Sequence, residues 1–157
     1  MRSTHHLGIS IALGTLVGLL LEPTIPLLLA VAYAGVLGVG IDLDHFLVAR
    51  YNTGNWNAVR TCLRSPRVVL FDQGAIFEPD AIWPIERLLT HVVAMGAIVL
   101  GLAFVDGILA ILSAVVLYGH LLSDLLWDVW RHDEYLEIAA RYVERNTAHD
   151  AGTKTND

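Results

Sequence analysis

Histidines and aspartates in this chain fall into four clusters, and each cluster sits at one end of an apolar stretch. His5 and His6 open the first stretch, Asp42, Asp44 and His45 close the second, His91 opens the third, and His120 and Asp124 close the fourth. Imidazole and carboxylate mixtures are donor sets for Zn²⁺, Mn²⁺ or Fe²⁺. His120 and Asp124 are four apart and share one helical face. They can bind one ion together, or the aspartate can orient the imidazole from behind. The run Asp42-Leu43-Asp44-His45 places two carboxylates at a helix C-terminus, where they oppose the macrodipole unless a cation compensates. The bland alternatives are a His–Asp hydrogen bond that only joins helices, and a solvated helix end. His5, His6, Asp42, Asp44, His45, His91, His120 and Asp124 together exceed the needs of one ion. One or two divalent ions are therefore expected, Zn or Mn first among them. Two such ions activate water and clamp a phosphoryl or acyl group. Asp44 and Glu86 are the candidate general bases.

Residues spread over 120 positions converge only if the stretches between them cross a layer alternately up and down. The chain of 157 residues is 55% hydrophobic and only 17% charged, with a mean hydropathy of +0.55. No Asp, Glu, Lys or Arg lies between Arg2 and Glu22, Glu22 and Asp42, Arg87 and Asp106, or Asp106 and Asp124. Each gap is close to the roughly 20 residues that span a hydrocarbon core. The expected fold is all-α: a membrane-embedded four-helix bundle with spans at about 5–21, 25–41, 88–105 and 107–127. A cleaved signal peptide is the competing reading of the first span, but Glu22-Pro23-Thr24-Ile25-Pro26 offers no small-residue cleavage site. The ten Lys and Arg fall at Arg2, within 50–87, and within 131–154. Four spans put these three segments on one side, and the positive-inside rule makes that side cytoplasmic. The expectation is a multi-pass protein of the cell (inner) membrane with both termini in the cytoplasm. All four ligand clusters then share the cytoplasmic end. Trp127 and Trp130 suit the aromatic belt there.

The segment 46–87 loses helical periodicity and reads as a long cytoplasmic loop between spans two and three. Its Trp56, Phe71, Phe77 and Trp83 argue that it folds over the end of the bundle. Val68 to Phe71 reads as a short strand or a half-buried turn. Tyr135, Ile138, Ala139 and Tyr142 repeat at helical spacing, so residues 133–146 read as an amphipathic surface helix. The tail 147–157 is polar and reads as disordered, which leaves a single domain over 1–146. Cys62 is alone, so neither an intrachain disulfide nor a Cys-based zinc motif is available. Asp128 extends the His120–Asp124 stripe, and His132 and His149 read as surface residues.

These motifs together resemble a family of bacterial and archaeal inner-membrane metal-dependent hydrolases, some of whose members are described as LexA-binding. That family has an N-terminal His, a Pro-Asp-x-Asp-His motif, a His-Arg-Gly-x-Thr-His motif and a Ser/Gly-His-x-x-x-Asp motif. Here His5 or His6 corresponds to the first and Gly40-Ile41-Asp42-Leu43-Asp44-His45 to the second. Glu86-Arg87-Leu88-Leu89-Thr90-His91 corresponds to the third and Gly119-His120-Leu121-Leu122-Ser123-Asp124 to the fourth. Gly40 and Ile41 replace the usual Leu-Pro, Glu86 replaces a His, and Leu88 replaces a Gly. The His-x-x-x-Asp signature is also similar to that of zinc-dependent phospholipase C and related nucleases. The resemblance implies a phosphomonoester or phosphodiester substrate, with a lipid among the options.

Arg64, Arg67 and Arg87, with Arg60, share the ligand side and offer bidentate contacts to phosphate. The positive-inside rule alone also explains them. A net charge of −6 argues against nucleic-acid binding. The first reading is therefore a membrane-bound metal-dependent hydrolase acting on a phosphoester at the cytoplasmic interface. The second is a non-catalytic membrane protein whose metal staples the bundle while the loop or tail recruits a cytoplasmic partner. An ion or proton carrier is a third, and needs polar groups mid-span in both halves. Four short helices also leave lateral surface for a homodimer.

Overall fold

The structure is a computed structural model that describes residues 3–21, 23, 25–65, 67–68, 75–77 and 81–153, with side chains omitted at 142 and 145–153. It is all-α, with no strand among the described residues. Helix α1 is Ser3–Leu21 and α2 is Leu27–Gly40. A single 3₁₀ turn, Ile41–Leu43, joins α2 directly to α3, Asp44–Thr53. Helix α4 is Asn57–Arg64, α5 is Pro84–Ala103, α6 is Gly107–Trp130 and α7 is His132–Thr153. The chain forms two compact units, Met1–Asp124 and Leu125–Asp157.

Four helical segments are long and apolar enough to cross a membrane: Ser3–Leu21, Leu27–Thr53, Pro84–Ala103 and Gly107–Trp130. Large apolar side chains such as Leu20, Leu28, Val36, Leu89 and Leu100 face outward. An outward apolar face suits hydrocarbon and is costly in water. The chain thus has the form of a membrane protein.

The second span is longer than the expected 25–41. The 3₁₀ turn does not end it, and α3 carries it on to Thr53. The segment expected to be loop therefore takes in the rest of α3 and all of α4. Their polar residues hide the helical period: Arg50, Asn52 and Thr53 crowd the end of α3, and α4 is only eight residues long. Gly54 stops α3 in the left-handed conformation, at φ 71°, with its N–H on the Arg50 carbonyl. Val68 is helical, and the rest of the Val68–Phe71 strand-or-turn expectation lies outside the described residues. Residues 147–153, expected to be disordered, continue α7. No Pro or Gly interrupts that helix before Gly152.

Small residues let α1 and α2 approach closely, as membrane helices do. A Cβ on Gly14 would overlap that of Ala34, and one on Gly38 would overlap the Ser10 side chain, with Ser10 Cβ at 2.6 Å. Val17, Ala30 and Ala34 meet Leu112 and Val116 of α6 in a buried cluster. Ser113 donates to the Leu109 carbonyl and accepts from the Tyr33 hydroxyl at 2.7 Å, which ties α6 to α2. At the start of α6, Asp106 Oδ1 accepts the N–H groups of Ile108 and Leu109.

Gly38→Ala is expected to destabilise the protein by about 1–3 kcal/mol, because the clash is with Ser10 close to its backbone. Gly119→Ala meets only the flexible tip of Leu13 and should cost far less. Thermal melting of the two variants in one detergent checks this; equal midpoints would refute the close-approach argument.

In the second unit, Trp127 and Trp130 pack edge to face with centroids 5.2 Å apart. Asp128 accepts a hydrogen bond from the Tyr135 hydroxyl at 2.9 Å.

Candidate metal centre

Each helix end delivers its donors for a local reason. His6 lies one turn from Ser10 on α1 and is fully buried, whereas His5 is exposed. Adjacent helical residues point about 100° apart, so only one of the pair can face the bundle. The 3₁₀ turn after α2 presents Asp42, and the first turn of α3 presents Asp44 and His45. His91 is the buried residue of α5, and His120 and Asp124 lie on the buried face of α6.

The imidazoles are held in a common way. His120 Nδ1 is 2.7 Å from the Gly38 carbonyl, and His45 Nδ1 is 2.7 Å from the Asp42 carbonyl. A carbonyl only accepts, so both Nδ1 atoms carry protons; in the neutral ring the lone pair then falls on Nε2, the nitrogen a metal would take. His91 Nδ1 donates to Asp44 Oδ2 at 2.6 Å, and its Nε2 turns toward His120 and Asp42. Ser123 Oγ gives its proton to the His120 carbonyl and lies 3.4 Å from His6 Nδ1. It can therefore accept from that ring.

The Nε2 atoms converge on two carboxylates. His91 Nε2 and His120 Nε2 are 3.2 Å apart. Asp42 Oδ1 is 3.4 Å from the first and 3.3 Å from the second. Asp124 Oδ2 is 3.8 Å and 3.6 Å from the same two atoms. Tetrahedral bonds of about 2.0–2.2 Å place neighbouring donors about 3.3–3.6 Å apart. A cation shared by the two Nε2 atoms and the two carboxylates would take a lone pair from each of the four groups. The donor set and its spacing both fit a divalent ion.

Two overlapping groups meet ligand spacing, His6–Asp42–His120–Asp124 and Asp42–His45–His91, and Asp42 belongs to both. His6 Nε2 lies 3.2 Å from Asp124 Oδ1, and its ring stacks on His120 at 3.9 Å. Comparison with protein-family models, with curated proteins and with solved structures returns no match.

Not every expected residue joins this centre. His5 is exposed on α1 and stays outside it. Asp44 belongs to neither ligand group; Oδ2 grips His91, while Oδ1 is buried without a hydrogen-bond partner. It is placed to orient the His91 imidazole from behind. Glu86 does structural work: its Oε2 accepts the Asn52 amide at 2.6 Å and the Trp83 N–H at 3.3 Å. It thereby caps α5 and ties it to α3. Pro84 at the first helical position and a Glu two residues later are the sequence signal for that role. Arg87 reaches the edge of the centre, its Nε 3.9 Å from Asp124 Oδ2. Arg64 and Arg67 are exposed and make no contact with the cluster among the described residues. The Gly38 carbonyl and the Ser123 hydroxyl take part without having been anticipated. A backbone oxygen has no residue-type signature. Ser123 has one only as a neighbour of His120 and Asp124 on the same helix. Cys62 is half-buried, and burial pushes its thiol up, away from the reactive thiolate.

Proposed function

We propose that the chain is a membrane-embedded metal-dependent hydrolase whose substrate is a phosphoester, with lipid phosphoesters among the class. The observation that supports this best is the pair of buried imidazoles. Each is fixed through Nδ1, and each aims its Nε2 at Asp42 and Asp124. His6, His91, His120, Asp42 and Asp124 are the residues that would hold the metal. Zn²⁺ and Mn²⁺ suit this donor mixture, and Asp42 is placed to serve a second ion as well. A divalent ion there would supply a Lewis acid and acidify water.

Access runs along the exposure gradient. The side chains of Asp42 and His45 are 20% and 14% exposed, whereas those of His91 and His120 are at most 1%. Substrate therefore enters past Asp42 and His45. His45 Nδ1 is committed to a carbonyl, which leaves its Nε2 to take a proton from water at that open edge. Arg87 stands beside Asp124, where a guanidinium can receive phosphate oxygens. By the positive-inside rule the centre opens to the cytoplasm and both termini lie there. The motif resemblance points to the same chemistry.

The test uses untagged protein reconstituted with Mn²⁺ or Zn²⁺ and assayed on nitrophenyl phosphate mono- and diesters and short-chain phospholipids. Metal-dependent release that EDTA abolishes and His91→Ala lowers to the metal-free rate is expected. Stoichiometric metal with no turnover on any of these would favour a structural centre instead.

A further inference from the structure

Between Phe46 and Phe71 the chain carries four arginines and no acidic residue, although its net charge is −6. Arg50 is turned inward and lies over the Trp56 ring, 5.7 Å from its centroid. The other three behave differently. Arg60, Arg64 and Arg67 are exposed and form no ion pair among the described residues. Arg60 and Arg64 share one face of α4, one turn apart. Ala58, Val59 and Cys62 are half-buried on the other face, which fixes α4 with its arginines outward.

Position adds to charge. α4 follows the Leu27–Thr53 span across the Gly54 turn, so it begins where that span leaves the apolar layer. Leu63, 77% exposed, lies beside the arginine face, and Trp56 and Tyr51 are exposed at the span's end. An apolar residue, interfacial aromatics and unpaired arginines together form the pattern of a helix lying on an anionic lipid surface. Satisfying the positive-inside rule needs only the charges. It requires neither their alignment on one face nor an adjoining exposed leucine.

We propose that α4 is an interfacial site for anionic phospholipid headgroups, with Arg60, Arg64 and Arg67 as the phosphate-binding groups. The site is independent of whatever chemistry the metal centre performs, and it anchors the loop over the membrane surface.

The experiment measures binding of phosphatidylglycerol and phosphatidylcholine, matched in acyl chains, to the full-length protein in neutral detergent by native mass spectrometry. Wild type is expected to prefer phosphatidylglycerol. Each arginine should contribute about fivefold, so R60Q/R64Q/R67Q should lose preference on the order of 100-fold. Its melting temperature and metal content should match wild type. The preference should also fall with ionic strength. No preference in wild type, or an unchanged preference in the triple variant, would overturn the proposal. Complete displacement of the lipid by inorganic phosphate would overturn it too, in favour of a soluble-anion site.

Discussion

Replacing His120 with alanine is expected to strip the divalent ion from the purified protein and to lower its melting midpoint on the order of 10 °C. His120 ties the centre together through both ring nitrogens. Its Nε2 lies within 3.6 Å of His91 Nε2, Asp42 Oδ1 and Asp124 Oδ2, and its Nδ1 fastens the ring to the α2 backbone at Gly38. Removal takes away one of the two imidazoles that the mostly buried Asp42 and Asp124 share, and with it the side-chain tie to the Gly38 carbonyl. Breaking one side of a buried polar pair costs about 3–5 kcal/mol. Elemental mass spectrometry on untagged protein gives the first readout and thermal scanning gives the second. Wild type should retain about one or two equivalents, the range that a donor set of this size serves. A variant that keeps its metal would show that the ion sits elsewhere. A variant that loses metal but melts as wild type would show that the centre does not brace the helices.

Asp44→Asn is expected to weaken metal affinity by about 10–100-fold while leaving the stoichiometry at saturating metal unchanged. The asparagine can still accept the His91 Nδ1–H, but without the charge that raises the basicity of the ring. This prediction separates two roles that the sequence could not. An aspartate beside Asp42 and His45 reads naturally as a ligand or a base. The 2.6 Å contact with His91 Nδ1 places it to orient that ring. Chelator-competition titration against Zn²⁺ or Mn²⁺ decides the matter. If Asp44→Asn loses its metal as completely as His120→Ala, Asp44 is a direct ligand and the assignment fails. The hydrolysis assay should move in parallel, since a misoriented His91 degrades the site without emptying it.

Much of the architecture was legible because solvent imposes it on composition. A span must be free of charge over its whole length, so the gaps around Glu22, Asp42, Arg87 and Asp106 announce four apolar helices without reference to their packing. Ionisable residues at span ends are costly unless they have work to do. His91 and the His120–Asp124 pair were therefore visible as a candidate site. The ends of the spans were less legible. α3 continues α2 through a 3₁₀ turn, and its polar residues look like loop in sequence although the backbone hydrogen bonding never stops. α4 is too short for its period to stand out.

The assignment of roles depended on the tertiary structure. His5 and His6 are equivalent in sequence. The close crossing of α1 over α2, which Gly14 and Gly38 permit, sets the helical phase that buries one and exposes the other. Glu86 occupies a motif position that suggests chemistry, yet the approach of Asn52 from α3 gives its carboxylate a structural partner. The Nδ1 partners of His120, His45 and His91 are a carbonyl of α2, a carbonyl in the turn, and Asp44 on α3. The sequence by itself determined that the chain has four apolar helices with His and Asp gathered at one set of ends, because desolvation acts on residue type and needs no partner. Only the tertiary structure decided which of those groups touch. A hydrogen bond or a ligand bond depends on positions to within a few tenths of an ångström, and such positions exist only once helices distant in sequence have packed.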